Sequence, residues 1–316
     1  MKRFIACSRY IYIGFLSALI VIGICSCKKE ERTSERLEQS MGLYTTSASL
    51  LIGEEITIEP KFAPGVTPKR TYEWTADNPE IITMEMNEDY ALTVTALTEG
   101  TTNLTISSTD GVLRVSCPVQ VIDGTLDVNV NFGSGTNASF TDGWNLLSAL
   151  LDGGTIPDLL TKKGYSTNIS MTVTQRFNSS GNSGEAETYT ELDMPSSVSA
   201  SFLYGNSGTA MNGLTTGQSV IKLAGFDMSK AYDFYFFGSS TFAGSRSARY
   251  TVTGVNDESA ELNASLNTSN VAYISDIQPD ENGEIIVTVE AAEGNSTAQK
   301  LYYINAMRFK EAEEIE

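Results

Sequence analysis

From residue 41 onward the sequence alternates apolar and polar residues with a period of two, and this constrains the fold more than any other feature. Ile56 and Ile58 alternate with Thr57 and Glu59, Tyr72 and Trp74 with Glu73 and Thr75, and Leu92, Val94 and Ala96 with Thr93 and Thr95. A strand with one buried face reads this way, whereas an amphipathic helix repeats every 3.6 residues. Turn clusters punctuate the pattern at Ala63-Pro64-Gly65, Asp77-Asn78-Pro79 and Thr109-Asp110-Gly111. Short strands spaced by such turns over about eighty residues predict a small sandwich in 41–123. Residues 124–316 keep the same grammar. Val128, Val130 and Phe132 alternate with Asp127, Asn129 and Asn131, and Ile169, Met171 and Val173 with Ser170, Thr172 and Thr174. Val198, Ala200, Phe202 and Tyr204 alternate with serines, which predicts a strand ending at Tyr204. Tyr232–Phe237 is apolar on nearly both faces, as a central strand is. Further strands are expected at 248–255, 271–277, 284–291 and 301–309, and the one helical hint is Trp144–Leu151. The expected fold class is all-β, two β-sandwich domains, the second of jelly-roll type.

The N-terminus reads as an address. Lys2, Arg3 and Arg9 precede an apolar run, Tyr10–Ile24, that falls short of the about 20 residues a membrane span needs but suits a signal peptide. It ends in Ile24-Cys25-Ser26-Cys27, which resembles a bacterial lipobox, with Cys27 as the acylated residue. Lys28-Lys29-Glu30-Glu31 resembles the charged export signal of Bacteroidetes surface lipoproteins. The resemblance implies a signal peptide over 1–26, a lipidated tether over 27–40, and anchorage to the outer membrane facing the cell exterior. An ordinary signal peptide with incidental cysteines is the plainer alternative. Of the four cysteines, only Cys117 then stays in the folded part, so no internal disulfide is expected. Its alternation with Val115, Val119 and Val121 marks it as a core residue.

Charge removes whole function classes. The chain has 21 basic and 39 acidic residues and no histidine. Residues 1–26 hold three of the basic residues and no acid, so the remainder carries 18 basic against 39 acidic residues, a net charge of −21. Such a field repels phosphate backbones, and no nucleic-acid partner is expected. Without histidine there is no Ser-His-Asp or Cys-His chemistry and no HExxH zinc site.

Two resemblances refine the domains. Leu51-Ile52-Gly53-Glu54, Trp74-Thr75-Ala76-Asp77-Asn78-Pro79-Glu80-Ile81, Val94-Thr95-Ala96-Leu97 and Leu104-Thr105-Ile106 resemble the bacterial Ig-like (group 2) domain. That implies a spacer module with Trp74 buried in its core. In the second half, Val130-Asn131-Phe132-Gly133-Ser134-Gly135, Gly143-Trp144-Asn145, Tyr232–Phe237 with Gly238-Ser239, Arg249-Tyr250-Thr251-Val252 and Tyr303-Ile304-Asn305-Ala306 resemble a galactose-binding-like sandwich of Bacteroidetes polysaccharide-degrading systems. That resemblance implies a carbohydrate-binding role, with no cofactor.

A sugar is gripped by an aromatic face and by planar polar groups, on loops at one edge of a sandwich. The candidate ligand-binding residues are Trp144, Asn145, Tyr204, Phe242, Arg246 and Arg249. Each has a structural alternative: Trp144 as a cap on the core, Phe242 as an inward loop anchor, Tyr204 as core or rim, and the arginines as partners of surface carboxylates. Arg246 and Arg249 have two ligand roles open to them, hydrogen bonding to sugar hydroxyls or pairing with uronic-acid carboxylates. The acidic turn from Asp276 through Asp280-Glu281-Asn282-Gly283-Glu284 offers oxygen ligands to calcium, but its spacing is not that of an EF-hand and a solvated turn is favoured.

Three functions compete. The favoured one is a surface lipoprotein that binds polysaccharide or oligosaccharide without catalysis, with an outer-membrane glycan importer as a further partner. The alternative is a fimbrillin-like or adhesin structural protein that binds a protein partner. An enzyme ranks last, because no spacing marks a catalytic carboxylate pair and no phosphate loop or nucleophile elbow is present.

Overall fold

The structure, a computed structural model, describes residues 40–63, 68–134 and 140–313. The segment expected to be a signal peptide, Cys27, nearly all of the expected tether, Pro64-Gly65 and the end of the acidic tail lie outside the described residues. The chain divides into two compact units between Ile122 and Asp123. Both are β-sandwiches, and the fold is all-β.

In the first unit a four-stranded sheet runs in the order Ala48–Leu51, Arg114–Ile122, Gly100–Ser108, Tyr72–Ala76, and a three-stranded sheet in the order Glu55–Ile58, Leu92–Ala96, Ile82–Met86. Their inner faces share one core, in which Ile58, Val94, Leu104, Ile106, Cys117 and Val121 are fully buried. Trp74 departs from expectation. It is half-buried against this core, and its indole N–H donates to the Tyr90 carbonyl at 3.0 Å. A ring with a polar edge settles where that edge finds an acceptor.

The second unit has two six-stranded sheets around a larger core. One runs Phe140–Thr141, Trp144–Leu147, Asp127–Phe132, Ala306–Glu311, Tyr232–Phe237, Ala272–Ile277. The other runs Thr155–Ile156, Ser170–Gln175, Gln218–Ala224, Glu284–Ala291, Ser247–Thr253, Asp257–Asn263. Tyr232–Phe237 is hydrogen-bonded on both sides and buried at five of six positions, as its apolar run predicts. A small third sheet, Ser179–Gly181, Phe202–Asn206, Leu301–Ile304, carries the candidate site.

Three local expectations are corrected. Trp144–Leu147 is a strand pairing parallel with Asp127–Phe132, because tertiary pairing overrides the weak helical pattern. The strand expected through Val198–Tyr204 begins only at Phe202, and Ser196–Ser199 before it is a single helical turn entered from Pro195. Alternating Ser and apolar residues suit either state, and proline opens a helix readily. The strand expected over 301–309 breaks at Asn305, which lets the chain pass from the small sheet, Leu301–Ile304, to the large one, Ala306–Glu311. Asn305 is fully buried: Nδ2 donates to the Ser199 carbonyl at 2.7 Å, and Oδ1 accepts from the Ser239 N–H at 2.8 Å.

Candidate functional site: an aromatic cleft on the small sheet

The small sheet places aromatic rings on the face turned away from the main core. Phe202–Asn206 is buried on both faces, so its residues divide between two neighbourhoods. Leu203 joins the main core, while Phe202 and Tyr204 cluster with Leu301 and Tyr303. Tyr204 and Tyr303 are register partners, and their rings lie 6.0 Å apart with a tilt of 35°. Phe202 meets Tyr303 edge-on at 5.0 Å. Gly181 stands opposite Phe202, and a Cβ there would come within 2.6 Å of that ring, so only glycine leaves the ring its place.

The loop after Tyr232–Phe237 supplies the other wall. The N–H of Thr241 donates to the Ser183 carbonyl at 2.8 Å and the Ser265 hydroxyl to the Phe242 carbonyl at 2.9 Å. Those bonds fix the backbone while the Phe242 ring remains 54% exposed. A large ring held out to solvent by an anchored loop is not a packing anchor. The Arg246 guanidinium lies 5.3 Å from the Phe242 ring centre and 5.8 Å from that of Tyr303, and its Nη1 donates to Tyr303 Oη at 3.0 Å. Burial raises the Tyr303 phenol above its ordinary value and the Arg246 charge opposes that rise, so the phenol stays neutral at ordinary pH. The cleft measures about 400 Å³, and Ser180, Ser183, Met211 and Gln299 complete its lining. Flat rings, a planar cation, an amide and hydroxyls around an open cleft are the set of groups that a hydroxyl-rich, ring-shaped ligand requires.

The structure brings together three of the six residues singled out from sequence: Tyr204, Phe242 and Arg246. The other three are corrected. Trp144 is 5% exposed and packs against Leu192, Val198, Phe237 and Ala306, because its strand places the ring under the turn at Ser196–Ser199. Asn145, 3% exposed, donates from Nδ2 to the carbonyls of Asn129 and Leu160 and accepts the Leu160 N–H on Oδ1. Such an amide serves the backbone and has nothing left for a ligand. Arg249 projects from its strand into Glu261 at 2.7 Å and Glu290 at 3.8 Å. The acidic turn is likewise engaged internally, since Asp280 Oδ1 accepts the N–H groups of Asn282 and Glu284, and Glu284 pairs with Lys222 at 2.7 Å. Among the described residues no cluster of three or more acidic or cysteine side chains is arranged to hold a metal ion.

Tyr303, Phe202 and Gln299 were missed in the sequence. The signal for Phe202 was its place two residues before Tyr204 on one strand face, and that for Tyr303 was Leu301-Tyr302-Tyr303-Ile304, a strand apolar on both faces, whose two tyrosines must point to opposite sides. Tyr302 enters the main core and Tyr303 the cleft.

Two other depressions are less suited to a ligand. The larger, about 660 Å³, lies in the first unit and has no aromatic lining. Its polar groups bond one another, Asn103 Nδ2 to Asp77 and Asn78 Nδ2 to the Thr101 carbonyl. A third, about 360 Å³, is lined by Tyr235 and Tyr273, but its Asp233 already accepts the Tyr273 hydroxyl and the Asp276 N–H.

The fold and cleft define a class, an all-β protein of two sandwiches with an aromatic recess on the second. No family model and no curated protein matches the sequence significantly. Among solved structures the chain is similar to domains 4 and 5 of the S-layer protein SbsC (24% identity over 27% of this chain and 53% of that one, TM-score 0.24). It is similar too to the ANX2 ectodomain from Arabidopsis thaliana (10% identity, 72% and 57% covered, TM-score 0.35) and to TmCBM61 in complex with β-1,4-galactotriose (14% identity, 35% and 65% covered, TM-score 0.19). The chain thus spans about half the length of the SbsC and ANX2 structures. Likenesses this slight fix neither family nor ligand, which leaves the geometry of the cleft as the guide.

Proposed function

We propose that the protein captures glycan at the cell surface without chemically altering it, through the cleft formed by Phe202, Tyr204, Tyr303, Phe242 and Arg246. The observation that carries this reading is Phe242, an exposed ring set beside a guanidinium at the mouth of a recess floored by aromatic rings. Aromatic faces pack on the C–H faces of sugar rings, while the guanidinium, the Gln299 amide and the serine hydroxyls meet sugar hydroxyls. In this proposal Cys27 carries the lipid, the outer membrane is the site of action, and the N-terminal sandwich is the spacer. A glycan importer in the same membrane would receive what is captured.

Affinity electrophoresis of the purified protein through gels containing single plant, fungal and host polysaccharides tests the reading. Retardation by one class is expected, and Phe242→Ala should abolish it. Since about half of that residue is exposed, the substitution should cost little stability, and a thermal melt of the variant separates lost binding from unfolding. Retardation that survives Phe242→Ala would move binding away from the cleft, and no retardation on any polymer would favour the structural or adhesin alternative.

A further inference from the structure

Six of the nine other lysines and arginines of the second unit pair with carboxylates. Lys163, Lys222, Lys230, Arg249, Arg308 and Lys310 each lie within 3.8 Å of a carboxylate oxygen. With 39 acidic residues against 21 basic ones, such partners are easily supplied. Arg246 is half-buried between two rings, lines a cleft without a carboxylate, and makes one side-chain hydrogen bond, to Tyr303. Its Nε is buried with no hydrogen-bond partner. Ring faces and a neutral phenol offset only part of the cost of drawing a cation out of water, so the cleft lacks a counter-charge.

We infer that the ligand brings that charge, and that the cleft selects an acidic sugar, a uronic-acid residue whose carboxylate pairs with the Arg246 guanidinium while its ring packs on Phe242. This rests on the glycan-capture reading above and names its ligand class. A charge-assisted bond from guanidinium to carboxylate is stronger than one to a sugar hydroxyl, and a guanidinium matches a planar carboxylate in shape. The negative charge of the whole protein does not oppose this pairing at physiological salt. The Debye length there is about 8 Å, so the distant acids are screened while a pair in contact inside the cleft is screened much less.

The test compares each polymer with its own carboxyl-reduced form. Polygalacturonate, alginate and glucuronoxylan, and the neutral polymers made from them by reduction, are run in affinity gels against the purified protein and its variants. The expected result is retardation by at least one uronate polymer, weakened about tenfold on carboxyl reduction and by a similar factor in Arg246→Gln, with Arg246→Lys between the two. Binding to the uronate polymer should also weaken with added salt. Equal affinity for a polymer and its reduced form, with loss in Phe242→Ala, would overturn the acidic-sugar inference and leave glycan capture standing. Retardation by none of the wider polysaccharide panel would end both. Thermal melts of each variant separate lost binding from lost folding.

Discussion

At the scale of single residues, the second unit separates amides that hold the backbone from side chains turned toward a ligand. Asn145, Asn267 and Asn305 are buried and bonded to main-chain groups, Asn267 through Nδ2 to the carbonyls of Gly238 and Asn270. Asn305 matters to the cleft indirectly, because its Oδ1 fixes the Ser239 N–H where the Phe242 loop begins. Asn305→Ala would leave that N–H and the Ser199 carbonyl unpaired inside the protein, at a cost of about 2–6 kcal/mol at 1–3 kcal/mol per buried group. A fall of that size in unfolding free energy by urea denaturation is expected, and a change below 0.5 kcal/mol, the level usual for surface substitutions, would show that the pinning contributes little. Sequence could not separate Asn145 from a ligand-facing amide. Whether an amide faces a ligand or a carbonyl depends on the strand beside it, which here comes from residues distant in sequence.

At the scale of the element, strands buried on both faces decided the site. Phe202–Asn206 and Leu301–Ile304 each send one set of side chains into the main core and the other into the cleft. Their close pairing leaves no room at Gly205, where a Cβ would overlap the Tyr302 ring. That ring is fully buried, and its hydroxyl contacts Thr216 at 2.8 Å and Ser219 at 3.0 Å, so it cannot retreat. Gly205→Ala should therefore destabilise the protein by about 1–3 kcal/mol, as overpacking does, and the shift in urea midpoint is the measurement. An unchanged midpoint would mean that the two strands separate easily. The half-buried strands of the first unit were legible because alternation marks one inner face. A strand buried on both faces has no such mark, and Tyr303 went unseen for that reason.

At the scale of the whole molecule, buried tyrosines tie stability to alkaline pH. Burial is the largest cause that pushes the Tyr232 phenol up to about 12, and it raises Tyr250, Tyr302 and Tyr303 in the same direction. In the unfolded chain a phenol ionises near the ordinary value of about 10. The folded state thus keeps these protons where the unfolded state loses them. Their contribution is complete below about pH 10 and declines as pH rises from there through about 12. Accumulating negative charge on an already acidic protein acts in the same direction. The expected outcome is a urea midpoint steady between about pH 7 and 9 that falls steeply above about 10, with the tyrosinate absorbance of the buried rings appearing only on unfolding. A midpoint insensitive to pH up to about 12 would mean that these hydroxyls reach solvent.

What the sequence determined by itself was whatever depends on neighbours along the chain. Period-two alternation set the all-β class and the inner faces of the first sandwich, and Cys117 was marked as core by the residues around it. What only the tertiary structure decided was the partner of each polar and aromatic group. Trp144 was buried by a helical turn some fifty residues further on, Arg249 was claimed by Glu261 across a hairpin, and Arg246 was left without a carboxylate in a cleft whose floor joins residues 202–204 to 301–303. Backbone preference acts over a few residues and can be read locally. Charge pairing and ring packing act through space, and their partners are known only once the sheets have closed.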